Sequence, residues 1–314
     1  MLLVLPCLSG DLQPPQYKPL KHILSIKIQN TLMDASLIPA AKSISGHPEA
    51  RIDAAVEIRN FSILGPSGQI PVRLYLPHSA TLLPVVVYFH GGGFVSGTLD
   101  DADPTARFIA AQCPALVLCV DYALAPARPF PAAPEDAYAA TVWMVRNAAR
   151  YGADPRRLAV AGDDAGGNLA ACVTLIARDR HELTIATQVL IGPMLDPSMT
   201  RLGDAARLKS DMTAADCSNC YRQYLPDFLQ RLHPYAAPLE SRRMAGLPAA
   251  FIATAECDVL HNEAEKYASS LIAAGVHTQV ARFAGITHAA LSKHPPVLND
   301  IAEFLRRRLA AHTD

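Results

Sequence analysis

The run Arg157-Leu158-Ala159-Val160-Ala161-Gly162-Asp163-Asp164-Ala165-Gly166-Gly167-Asn168 decides how the rest of the chain is read. Leu158 to Ala161 is a short apolar segment suited to a buried strand, the small residues after it mark a tight turn, and Asn168 to Arg180 suits a helix. A strand that turns sharply into a helix pushes the residue at the turn outward on a strained backbone, and only small neighbours leave room for it. Gly162, Ala165 and Gly166 meet that demand around Asp164. The turn has the form of a nucleophile elbow, with a carboxylate where serine is usual.

Outward from this turn, strand-like and helix-like segments alternate from about residue 70 onward, which predicts a mostly parallel central sheet flanked by helices, an α/β fold. Pro71–Pro77 alternates like a half-exposed strand. Val85–Phe89 and Ala115–Val120 are continuous apolar runs suited to central strands, and later strands are read at 185–191, 249–255 and 277–283. Helices are expected at about 102–113, 135–150, 261–274 and 296–311. Two helix-prone stretches break the alternation, and a long insertion after a core strand reads as a lid. The expected organisation is therefore a core over 51–195 and 246–314, with a helical cap built from 1–50 and the insertion 196–245.

Three further loops carry chemistry. His90-Gly91-Gly92-Gly93-Phe94 follows the apolar strand directly. Consecutive glycines let backbone N–H groups converge, which is how an oxyanion hole is built from main chain, although a simple glycine turn has the same composition. A dinucleotide loop fits poorly, because Ser96 stands at the third glycine position of that pattern. The candidate donors are the amides of Gly91 and Gly92, with that of Ala165 after the elbow. Farther on, Asp258 and His288 each follow a predicted strand. The order elbow residue, acid, histidine suits a hydrolytic triad, while an aspartate after a strand can equally cap a helix and a lone histidine can be a surface residue.

His90-Gly-Gly-Gly93, Asp121-Tyr-Ala-Leu-Ala-Pro126 with Pro129-Phe-Pro-Ala-Ala133, Gly162-Asp-Asp-Ala-Gly-Gly167, Asp258 and His288 together resemble the hormone-sensitive-lipase-like family of α/β hydrolases over about residues 55–312. The resemblance implies an α/β-hydrolase fold, carboxylesterase activity on short acyl esters, no cofactor, and Asp164, Asp258 and His288 at the catalytic positions. The family pattern at the elbow is Gly-Asp-Ser-Ala-Gly-Gly, so Asp163 conforms and Asp164 departs.

An aspartate there leaves four readings open: a serine hydrolase disarmed by design or by loss, its serine-type activity weak; a carboxylate nucleophile acting on an epoxide or alkyl halide; ester hydrolysis by a different route, with Asp164 and His288 holding a water; or a fold that binds a small molecule without turning it over. An epoxide would call for an acid in the cap, and Tyr221, Tyr224 and Tyr235 fall in the inserted stretch, where packing also explains them.

Composition narrows the partners. The 314 residues carry 28 basic against 29 acidic side chains and are 50% apolar, which suits a buried core and a small-molecule substrate and gives no basic patch for nucleic acid. The opening Met-Leu-Leu-Val-Leu-Pro-Cys is interrupted by proline well short of a span, so no membrane insertion is expected. Seven cysteines, an odd number, read as free thiols in a reducing compartment, hence the cytoplasm. Cys217-Ser-Asn-Cys220 has metal or redox spacing but no second pair beside it. A homodimer is left open.

Overall fold

Strands that are apolar at every position must be covered on both faces, and the sheet is built around such strands. The computed structural model describes residues 56–311; the first part of the expected cap, residues 1–50, lies outside them. Eight strands form one sheet in the order β1-β2-β4-β3-β5-β6-β7-β8. They are β1 (Val56–Gly65), β2 (Gly68–Pro77), β3 (Leu83–Phe89), β4 (Leu116–Val120), β5 (Ala153–Asp163), β6 (Thr187–Ile191), β7 (Ala249–Cys257) and β8 (Thr278–Thr287). From β4 to β8 neighbours pair in parallel, while β2 runs antiparallel to both β1 and β4.

Alternate residues of β3 and β4 feed opposite faces. Val85, Val87, Phe89, Leu116 and Leu118 pack in one core layer, against α2 (Ala132–Asn147), α3 (Ala165–Arg180) and α6 (His261–Ala273). Val86, Tyr88, Val117 and Cys119 pack in the other, against α1 (Leu99–Gln112) and α8 (Pro295–Arg308). This is the three-layer α/β arrangement that the alternation of segments predicted.

β1 was not among the expected strands, and its composition explains why. It lies at the sheet edge, where only Val56 and Ile63 of its ten residues are fully buried, so it has no apolar run to betray it. The reading of 277–283 as a strand was short, since β8 continues to Thr287. Residues 196–245 stand between β6 and β7 and hold α4 (Ala205–Leu208), α5 (Ala214–Tyr224) and two 3-10 turns at Phe228–Leu232 and Pro238–Glu240. α5 opens on a reciprocal cap in which Thr213 and Asp216 satisfy each other's backbone N–H groups. Its last turn brings Tyr224 flat against Phe94, with ring centroids 3.8 Å apart, and so ties the insertion to the glycine loop after β3.

Candidate active site

The parallel strands end on one side of the sheet, and every candidate residue sits just past such an end. β5 stops at Asp163 and α3 starts at Ala165, which isolates Asp164 at φ 53° and ψ −117°, a conformation a side chain adopts only under constraint. The constraint is visible. The Asp164 N–H donates to the Ile191 carbonyl at 2.9 Å, and its own carbonyl accepts from the Asn168 and Met194 N–H groups, each at 3.2 Å. Gly166 lets α3 close onto β3, since a Cβ there would run into the carbonyl oxygens of Phe89 and His90.

The loop after β3 is anchored by His90. Its ring stacks on Tyr122 at 4.3 Å, its Nδ1 donates to the Gly91 carbonyl at 2.7 Å, and Tyr122 donates its hydroxyl to the His90 carbonyl at 2.8 Å. Beyond it, Gly92 takes φ +117°, a backbone turn that aims two successive amides at one point. That point is occupied by the protein itself: Asp164 Oδ2 accepts from Gly92 N–H at 2.9 Å and from Gly93 N–H at 2.7 Å.

The sequence pointed to Gly91, Gly92 and Ala165 as donors. Of these, only the Gly92 amide is seen to converge on the elbow side chain. Gly93, passed over in that reading, makes the shorter bond. Gly91 instead lies against Asp163, where a Cβ would come within 2.6 Å of Oδ2, and Ala165 is the first, buried residue of α3. The choice among three glycines depends on backbone angles, positive at Gly92 (+117°) and Gly93 (+60°), and composition does not encode that.

Asp258, one residue past β7, is fully buried. Its Oδ1 accepts from the Leu260 N–H at 2.9 Å and its Oδ2 faces His288 Nδ1 at 2.8 Å. His288 opens α7 (His288–Leu291) immediately after β8, with Nε2 3.7 Å from Asp164 Oδ1. That Oδ1 is buried and without a hydrogen-bond partner. The fold thus brings Asp164, His288 and Asp258 into one line.

Charge governs the histidine. Burial works to lower its pKa, but the hydrogen bond and charge of Asp258, with the charges of Asp164 and Asp163, outweigh it and hold His288 at about 9. The ring is therefore an imidazolium near neutral pH. Asp163, bonded by the Tyr88 hydroxyl at 2.7 Å, is pushed up to about 6 by burial, with the Asp164 charge adding to the effect.

A cavity of about 550 Å³ opens onto Asp164 and His288. Val95, Met194, Met212, Cys217 and Cys220 give it an apolar side, while Asp101, Asp216 and Lys293 are polar groups on its lining. The three tyrosines considered as acids are not part of that lining. Tyr221 and Tyr224 are buried beside Phe94, and Tyr235 donates its hydroxyl to Asp179 at 2.9 Å. Packing of one face of α5 accounts for Tyr221 and Tyr224, and the bond to Asp179 for Tyr235. Among the described residues, no group of three His, Cys, Asp or Glu side chains could hold a metal, and no helix is long and apolar enough to cross a membrane.

Sheet order, elbow, glycine loop and acid–histidine pair are the parts of an α/β hydrolase. A family profile described as alpha/beta hydrolase fold matches residues 86–292. Carboxylesterase NlhH of Mycobacterium tuberculosis is 39% identical over 273 residues, covering 84% of either chain. Carboxylic ester hydrolase LipN of the same organism is 39% identical over 248 residues, 76% of this chain and 65% of LipN. Among solved structures, the carboxylesterase EstE1 from a metagenomic library superimposes with a TM-score of 0.78 at 35% identity, over 83% of this chain and 94% of its own. An esterase of Pyrobaculum calidifontis gives 0.75 at 37%, over 81% and 84%. The chain belongs to the hormone-sensitive-lipase-like family of α/β hydrolases.

Proposed function

We propose that the protein is a carboxylic ester hydrolase acting on a small substrate, in which Asp164 holds serine-type turnover low. One observation carries this reading: the Gly92 and Gly93 amides, the donors a tetrahedral oxyanion requires, are engaged by the Asp164 carboxylate. An ester carbonyl has to displace a full negative charge to reach them, and the elbow offers no hydroxyl to acylate. Slow hydrolysis is left to a water held between Asp164 and His288. His288 takes its familial role of base in its neutral form, above its pKa of about 9, with Asp258 as orienting acid, and buried free thiols at Cys113, Cys119 and Cys172 suit the cytoplasm as the place of action. The test is Asp164→Ser assayed on p-nitrophenyl acetate and butyrate. A folded serine variant no faster than the parent would remove His288 or the glycine loop from the proposed roles.

A second reading is favoured by the bare Oδ1. With Oδ2 tied to the amides and Oδ1 unpartnered, Asp164 is arranged as a carboxylate nucleophile, Oδ1 bonding an sp3 carbon as a halide or epoxide oxygen leaves. Water attack at the aspartyl carbonyl carbon would then place the oxyanion on the Gly92 and Gly93 amides. An epoxide oxygen would also need an acid, and among the described residues no tyrosine lines the cavity to supply one. Single-turnover reaction in heavy-oxygen water separates the readings, because the first oxygen delivered by a covalent aspartate is unlabelled. In that mechanism His288→Ala leaves an alkyl adduct on Asp164, visible in the intact mass. Full labelling of the first product would exclude the covalent route.

A further inference from the structure

The turn that bears His288 is poorly secured by its own surroundings. α7 is four residues long, of which only Leu291 is buried, and Thr287 before it makes no side-chain bond to the helix amides. β8, which delivers it, contains no fully buried residue. The leading amides of α7 are nevertheless bound. Asp211, 77 residues earlier in the segment joining α4 to α5, accepts from the His288 N–H through Oδ1 at 3.1 Å and from the Ala289 N–H through Oδ2 at 3.2 Å.

We infer that Asp211 is a positioning residue for His288, through which the inserted segment sets the approach of the imidazole to Asp164 and Asp258. A carboxylate using both oxygens on consecutive amides fixes the direction of that peptide as well as its place, and the Cα–Cβ bond of His288 follows. The next residue, Met212, lines the cavity, as do Cys217 and Cys220 on α5. A single stretch of chain therefore touches both the space a substrate fills and the backbone of the base. An occupant that displaces Met212 displaces Asp211 with it, so filling of the cavity and alignment of the ring are linked.

The inference rests on the reading of His288 as the base, but its test needs no turnover. In the protein carrying Asp164, labelled with 15N-histidine, the Nδ1 proton shared with Asp258 is followed at low field and the ring is titrated. Asp211→Ala is expected to lose or broaden the Nδ1 signal and to move the His288 midpoint down from about 9, because a wandering ring loses the Asp258 bond. Asp211→Asn, which keeps a carbonyl acceptor for the His288 N–H, should restore most of both. Thermal midpoints of the variants should stay close to the parent's, since Asp211 is exposed. If Asp211→Ala fails to fold, Asp211→Ser, able to hold only one of the two amides, is read the same way. In the serine-restored protein, Asp211→Ala should lower kcat about tenfold or more while KM changes little. An unchanged Nδ1 signal and titration in the alanine or serine variant would overturn the assignment, whatever the esterase assays show.

Discussion

A serine at position 164 would present one oxygen to the cavity, whereas aspartate presents two, and the second finds the Gly92 and Gly93 amides before any substrate does. Removing that carboxylate restores both the hydroxyl and the empty donors. Single oxyanion donors are worth roughly a hundredfold to a thousandfold in related chemistry, so Asp164→Ser should raise p-nitrophenyl butyrate hydrolysis by about a hundredfold or more. The same change alters the pH profile. His288 acts as a base only when neutral, and with Asp164 in place its pKa of about 9 is supported in part by the Asp164 charge. With serine at 164 that support is gone, the pKa falls, and the ascending, acid-side limb of kcat/KM moves to lower pH. Identical limbs in the two proteins would mean that the Asp164 charge does not act on the ring.

At the scale of elements, the turn between β5 and α3 was legible because its demand is steric, and sterics select residue types. Gly166 is there to let α3 approach β3, and a methyl group at that position meets main-chain oxygens that cannot rotate away. Gly166→Ala should therefore destabilise the fold by about 1–3 kcal/mol, read as a lower urea midpoint, while an unaltered midpoint would show that α3 shifts freely. Asp258 and His288 were legible from chain order and from the strands before them. Other features depend on facts that residue type does not carry. Which amides converge was fixed by the backbone angles at Gly92 and Gly93. The strand β1 was hidden by its exposure, the burial of Tyr221 and Tyr224 by the helix face they occupy, and Asp211 by its distance along the sequence from the turn it holds.

For the whole molecule, two groups with raised pKa values bear on stability in the same direction. His288 stands at about 9 in the fold against roughly 6.5 in an unfolded chain, so its contribution is complete below about pH 6.5 and fades as pH rises through 9. Asp163, raised to about 6, favours the fold most below about pH 4 and loses that advantage by pH 6. Thermal midpoints measured from pH 7 to 9 should fall. Asp258→Asn, which removes the main group holding the histidine's proton, should flatten the decline. A decline as steep in that variant would place its origin elsewhere in the protein.

The strand order has a further consequence, for how the enzyme fails. β3, β4 and β6 are buried throughout and β5 over Leu158–Gly162, yet the histidine is carried by β8, an edge strand, none of whose ten residues is fully enclosed. Free energies of opening are lowest where little apolar surface is covered, so this margin can detach while the rest of the sheet stays paired. The protein then passes through a form that is folded by circular dichroism and chemically inert. On heating, hydrolysis in the serine-restored protein should disappear several degrees before the ellipticity does. Deuterium should enter the amides of 278–291 ahead of those in the central strands, and simultaneous loss of both signals would mean that the edge and the core open as one unit.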